Sequence, residues 1–168
     1  MIETSVEKAF LKKYPEQVVL VTTISKTGNP NIITLGWSMQ TSFDPPMLAI
    51  SIGHTRYSHF LLNEIPEFVL CFPSEQQKEA VIYCGTHSGR QTDKFKETGL
   101  VQVKSRYVKP PVISESVAAF ECKIVSKLKT GDHTIFTGEI LVAWTSEKNL
   151  RRLYNFGGSF SSIPDIKT

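Results

Sequence analysis

A chain of 168 residues, 40% hydrophobic and 21% charged, can bury about two-thirds of its unfolded surface around one core without stapling. This composition excludes long disordered and collagen-like classes. The formal net charge of +3 comes from Lys and Arg scattered beside Asp, Glu and apolar residues, so a solvated surface is expected in place of a nucleic-acid groove.

Thr4-Ser5-Val6-Glu7 has the hydroxyl-and-carboxylate pattern of a capping box ahead of Ala9, Phe10 and Leu11, predicting a short helix that ends near Pro15. From Val18 to Ile24 β-branched residues dominate, and Lys26-Thr27-Gly28-Asn29-Pro30 turns the chain into Ile32-Ile33-Thr34-Leu35, a hairpin. Strands at Met47 to Ile52 and Phe68 to Phe72 flank helical material running from Ser58 through Leu61, Leu62 and Ile65. The first of these runs stops at Gly53 and His54, and no apolar run nears the roughly 20 residues that span a bilayer.

Ser74-Glu75-Gln76-Gln77 is a second capping box, followed by Ala80, Val81 and Ile82 and closed by Gly85 as a helix cap. A further short helix is expected from Thr92 to Thr98, stopped by Gly99. Ala118, Phe120, Cys122 and Ile124 alternate with Ala119, Glu121, Lys123 and Val125 as in a strand. Lys129-Thr130-Gly131-Asp132 then turns the chain into a long strand, Thr134 to Trp144, in which Gly138 marks a bulge or a close backbone approach. The tail from Tyr154 to Thr168 carries neither a strand nor a long helical pattern. Many short strands with small helices between them argue for one β-barrel domain, 1–168, over a doubly wound sheet.

Cys71, Cys84 and Cys122 are odd in number and widely spaced, and no signal peptide opens the chain, which points to a reducing, cytoplasmic setting. Cys71 and Cys122 read as small core residues. Cys84-x-x-His87 lacks a second half, and His54, His59 and His133 are dispersed, so no metal site is expected.

No P-loop, G-x-G-x-x-G, nucleophile elbow or H-E-x-x-H helix occurs. Gly53-His54-Thr55-Arg56-Tyr57-Ser58 lies between a strand and a helix start. It offers two hydroxyls, a guanidinium and free helix amides to a phosphate, and it equally suits a plain cap at Ser58 beside a solvated Arg56. Gly85-Thr86-His87-Ser88-Gly89-Arg90, ahead of Thr92-Asp93-Lys94-Phe95, repeats those ingredients, or is a polar connection capped by Thr92 or Asp93. Trp37 suits either a cofactor wall or the core.

The succession of Gly36-Trp37-Ser38-Met39-Gln40-Thr41-Ser42-Phe43-Asp44-Pro45-Pro46, Leu48 to Ile52, Thr55-Arg56-Tyr57-Ser58, Ser88-Gly89-Arg90, Asp93-Lys94-Phe95 and Gly131-Asp132-His133 resembles the flavin reductase-like family, from about Pro15 to Gly158. The resemblance implies a mainly β FMN-binding split barrel with short helices, and FMN at a homodimer interface. It implies that Trp37, Ser38, Met39, Gln40, Thr41 and Ser42 run along the isoalloxazine, that Thr55, Arg56 and Ser58 hold the phosphate and ribityl chain, and that Gly85, Ser88 and Lys94 complete the pocket. With NADH or NADPH as donor, His133, Phe156 and Phe160 are candidates to border the nicotinamide, though each also suits turn or surface packing. The flavin would carry the redox chemistry, so no catalytic side chain is required. The expected activity is NAD(P)H-dependent flavin reduction; a flavoredoxin-like electron carrier and a non-enzymatic small-ligand barrel are the alternatives.

Overall fold

The computed structural model describes residues 1–163. Its first helix, α1 (Val6–Phe10), is capped by Ser5, whose Oγ accepts the Lys8 N–H. The cap therefore falls one residue after the Thr4 of the capping-box pattern. The helix buries none of its residues and passes through a 3-10 turn, Leu11–Lys13, into strand β1 (Glu16–Gln17).

Strands β2 (Val19–Ile24), β3 (Pro30–Leu35), β4 (Ser38–Phe43) and β5 (Pro46–Gly53) follow, then helix α2 (Tyr57–Glu64) and strand β6 (Glu67–Phe72). Helices α3 (Lys78–Thr86) and α4 (Lys94–Thr98) precede the short strands β7 (Gln102–Val103) and β8 (Val112–Ile113). The long hairpin β9 (Ala118–Thr130) and β10 (His133–Thr145) leads to β11 (Leu153–Asn155) and β12 (Phe160–Ser162). The mainly β class read from the sequence is what the chain adopts.

Seven strands form one antiparallel sheet in the order β3-β2-β6-β9-β10-β5-β4. The sheet curls until β3, at one end, approaches β5 near the other, without pairing to it. The result is a barrel with an open seam. One core cluster holds Val19, Val21, Ile50, Ile52, Phe68 and Phe136; the other gathers Leu20, Ile32, Val69, Val81, Phe95 and Ile113. Alternate residues of β2 thus serve opposite clusters, which is why its sequence is a continuous apolar run without polar alternation.

Gly138 satisfies both readings of its position. The β9–β10 register shifts between Thr137 and Gly138, and a Cβ on Gly138 would lie 2.7 Å from Phe68 Cε1 and 3.0 Å from Cys122 Cβ. Gly138→Ala should therefore destabilise by about 2 kcal/mol through overpacking, read as a lower urea midpoint. An unchanged midpoint would show that Phe68 yields freely.

The Ser74–Gln77 box forms, with Gln77 Oε1 accepting the Ser74 N–H at 3.0 Å. Gly85, however, is no cap: α3 continues to Thr86 and ends on an extended His87. A Cβ at Gly85 would meet that of Thr34 at 3.4 Å, an ordinary packing contact, so α3 lies against β3 there without requiring glycine. The end of α4 agrees with its sequence signals, with Asp93 Oδ1 accepting the Phe95 and Lys96 N–H groups and Gly99 left-handed at φ 67°.

The tail is not featureless. β11 pairs with β1 on one side and β12 on the other in a small sheet, a partnership between chain ends that no local pattern announces. Residues 164–168 of the tail lie outside the described residues.

Between β7 and β8 the chain runs over the barrel as an irregular loop anchored from beneath. Glu121, fully buried on β9, accepts the backbone N–H groups of Arg106, Tyr107 and Val108 at 2.8, 2.7 and 3.2 Å and the Trp144 indole N–H at 3.0 Å. Four donors thereby satisfy a charge that burial would otherwise make very costly.

Candidate functional site

The seam between β3 and β5 opens as a cleft of about 370 Å³. Its two long walls are the end strand β3 and the β5-to-α2 turn; α3 and the Gly85–Arg90 loop form the floor and far side. Because the sheet leaves β3 unpaired on this side, its polar groups meet those of the helices. Lys94 Nζ donates to the Ile32 carbonyl at 2.8 Å and to the Cys84 carbonyl at 2.7 Å, and the Thr34 hydroxyl donates to the Val81 carbonyl at 2.6 Å.

Arg56 occupies the N-cap position of α2 and cannot cap with its side chain, so the helix starts without a side-chain acceptor. Ser58 lies two residues past the N-cap position, too deep for the capping role: buried, it accepts the Asn31 amide N–H at 2.8 Å. Asn31 also donates to Thr23 at 3.3 Å, and Gly89 sits so close to its Oδ1 that a Cβ would come within 1.9 Å. The loop and the helix start are thus fitted to one another through Asn31.

Two cations face this end of the cleft. Lys94 is 4% exposed; burial pushes its ammonium below the ordinary lysine pKa, Cys84 opposes that shift, and the Arg56 charge adds to it. Neither Lys94 nor Arg56 forms an ion pair among the described residues. An anion there would meet a guanidinium, an ammonium, the Thr55 and Ser88 hydroxyls and unused helix amides.

Toward the β3–β4 connection the cleft is aromatic. The Trp37 and His133 rings lie 4.8 Å apart, and Lys13 sits 5.7 Å from the Trp37 ring while pairing with Glu16 at 2.6 Å. His133 Nδ1 is 2.7 Å from Asp132, whose carboxyl this hydrogen bond lowers from its ordinary pKa. Trp37 is 53% exposed, so it is a wall of the cleft and not a core residue. Burial pushes the Cys71 and Cys84 thiols each up to about 11 and raises Cys122 further, which disfavours the nucleophilic thiolate.

Of the residues proposed from sequence, Trp37, Thr55, Arg56, Ser58, Gly85, Ser88, Lys94 and His133 meet in this cleft. Ser38 and Met39 line a neighbouring apolar recess of about 210 Å³ with Ala49 and Ile135. Gln40, Thr41 and Ser42 continue along β4, away from the cleft, and Phe156 and Phe160 do not reach it. Asn31, Thr34, Ser51 and Glu16 also line the cleft; of these only Asn31, a polar residue beside the apolar run of β3, carries a signal in the sequence. Among the described residues no cluster suits a metal, and no helix is long and apolar enough to cross a membrane.

Beside the cleft, the Thr134 hydroxyl joins two imidazoles, 2.9 Å from His59 Nε2 and 3.2 Å from His54 Nε2. Burial, then the charges of His54 and Lys127, lowers the His59 pKa. A base whose folded pKa is depressed leaves the unfolded chain holding more protons, so its contribution to stability is present above its unfolded pKa, near 6.5, and fades as pH falls through that value. The melting temperature should drop between pH 7.5 and 5.5, and His59→Gln should flatten that slope; an equal slope in the variant would assign it to other groups.

The profile of the "Flavin reductase like domain" matches residues 11–164. The chain belongs to the flavin reductase-like family. An Archaeoglobus fulgidus relative is 41% identical over 128 residues, covering 76% of this chain and 71% of that protein. The flavoredoxin structure from Methanosarcina acetivorans superposes with a TM-score of 0.86 at 26% identity, covering 100% of this chain and 94% of that one. The NADH:FAD oxidoreductase of Streptomyces globisporus, solved with NAD and FAD fragments, gives a TM-score of 0.83 at 27% identity over 95% and 92% of the two chains. The fold is the FMN-binding split barrel, and the family supports flavin binding and oxidoreductase chemistry.

Proposed function

We propose that this flavin reductase-like chain binds FMN in the seam and uses NADH or NADPH to reduce it, handing the reduced flavin to an acceptor. The observation that carries the reading is the cleft's polarity: two cations without carboxylate partners beside an uncapped helix start, and an aromatic wall of Trp37 and His133 toward the other side. That donor set fits a ligand with an anionic tail and a flat ring. Arg56, Lys94, Thr55 and Ser88 would hold the phosphate, and Trp37 and Gly36 would flank the ring. Bound flavin would supply the two-electron chemistry, while the chain orients it, keeps water from one face and holds His133 in place through Asp132.

Two further parts of the reading concern assembly and the alternative role. Exposed Met39 and Phe43 on the end strand β4, with Trp37 just before it, support a homodimer, which size-exclusion chromatography with light scattering would test. The likeness to flavoredoxin favours a second reading, an electron carrier fed by another protein. One experiment separates them: the purified protein with added FMN is mixed with NADH or NADPH and the visible absorption band of the oxidised flavin is followed. Catalysed bleaching supports the reductase. Tight FMN binding without bleaching supports the carrier, and no binding overturns both.

A further inference from the structure

At the outer edge of the cleft stand two aromatic rings, Tyr57 half-buried and Phe60 exposed. Tyr57 and Phe60 lie one turn apart on α2, their centroids 6.2 Å apart and their planes 11° from parallel. Tyr57 borders the cleft, whereas Phe60, 48% exposed, lies beyond it. Arg90, at the end of the Gly85–Arg90 loop, holds its guanidinium carbon 4.9 Å from the Tyr57 centroid and 5.9 Å from that of Phe60. Arg90 has no ion pair among the described residues.

An exposed phenyl ring in water is unfavourable unless something covers it, and a planar cation above a pair of rings does so only in part. The same trio offers what an adenylate needs: a π-face for the base and a guanidinium for the phosphate joined to its ribose. The location matters as much as the chemistry. Arg56 precedes Tyr57, and Ser88 is two residues from Arg90, so the trio adjoins the cationic end of the cleft, where a first phosphate would sit.

We propose that Tyr57, Phe60 and Arg90 form an adenylate subsite, so that the cleft takes a dinucleotide whose second half leaves the seam at Arg56 and stacks on α2. This inference rests on the flavin reading. The adenylate belongs either to the dinucleotide form of the flavin or to the nicotinamide donor, and the two share this recognition chemistry.

The test measures Kd for FMN, FAD and 5′-AMP by fluorescence or calorimetry, and KM for NADH against reduced nicotinamide mononucleotide. FAD binding about tenfold tighter than FMN, the scale of one base–aromatic stack, assigns the adenylate to the flavin. Equal flavin affinities with a similarly lower KM for NADH than for the mononucleotide assign it to the donor. In either case Phe60→Ala and Arg90→Ala should erase the preference and leave FMN affinity unchanged, and 5′-AMP should compete with the preferred dinucleotide. FMN binding with no preference in either pair overturns the subsite while the flavin reading stands; failure to bind any flavin overturns the reading itself. A Phe60→Ala variant that changes oligomeric state and no nucleotide affinity would show Phe60 to be covered by protein, which also overturns the subsite.

Discussion

Glu121→Ala is expected to remove about 4 kcal/mol of stability, a large part of the 5–15 kcal/mol margin typical of a domain. The reason lies in arithmetic of donors. Three loop amides and the Trp144 indole point at one buried carboxylate, and each donor orphaned by its loss costs about 1–3 kcal/mol, softened where the loop can reach water. Relief from burying the charge returns some of that sum, as buried ionic groups generally show. Glu121→Gln keeps the volume but turns one acceptor into a donor facing other donors, so it should fall between wild type and alanine. Trp144→Phe removes one bond and should cost about 1 kcal/mol. Urea unfolding followed by far-UV circular dichroism reads all three, and an alanine variant within 1 kcal/mol of wild type, by the same scale, would show that the loop finds other partners.

Lys94→Met should weaken FMN binding by about 10- to 100-fold, the worth of one hydrogen bond to a charged group. The same change should move the melting temperature of the ligand-free protein little. It strips a donor from the Ile32 and Cys84 carbonyls, but it also removes a buried ammonium that has no carboxylate beside it, and these two effects oppose each other. The pair of measurements is what gives the result meaning. Weaker binding together with a collapsed melting temperature would make Lys94 a structural strut, and unchanged affinity would remove it from the site.

Much of the scaffold was legible because its signals are local. The β2–β3 turn at Gly28, the Asp93 and Gly99 ends of α4 and the long β9–β10 hairpin each follow from short runs of residues with one dominant preference. The segments Thr55 to Ser58 and Ser88 to Lys94 stand out in sequence for the same reason, since hydroxyls, cations and a helix start lie consecutively, and the fold brings both to one cleft. What stayed hidden was set by distant partners. Asn31 belongs to the site through Ser58, 27 positions away, and the tail becomes β11 and β12 by meeting β1 across nearly the whole chain. Gly85 suggested a helix end, yet α3 runs through it to Thr86 and packs it against Thr34. The family resemblance puts the run from Gln40 to Ser42 along the isoalloxazine; in the structure β4 carries these residues outside the lining of the cleft.

The open seam makes this barrel a thermometer for its own occupancy. A closed barrel would zip β3 to a neighbour and stabilise itself with ladder bonds; here those strands stay apart, so that part of the molecule's cohesion is left for a guest to supply. Any ligand that binds the folded chain alone raises its stability with concentration, by about 2.7 kcal/mol at a hundred times Kd. Melting curves recorded across a flavin series would therefore rank ligands without any assay of turnover, and batches purified with different flavin content would melt at different temperatures though their chains are identical.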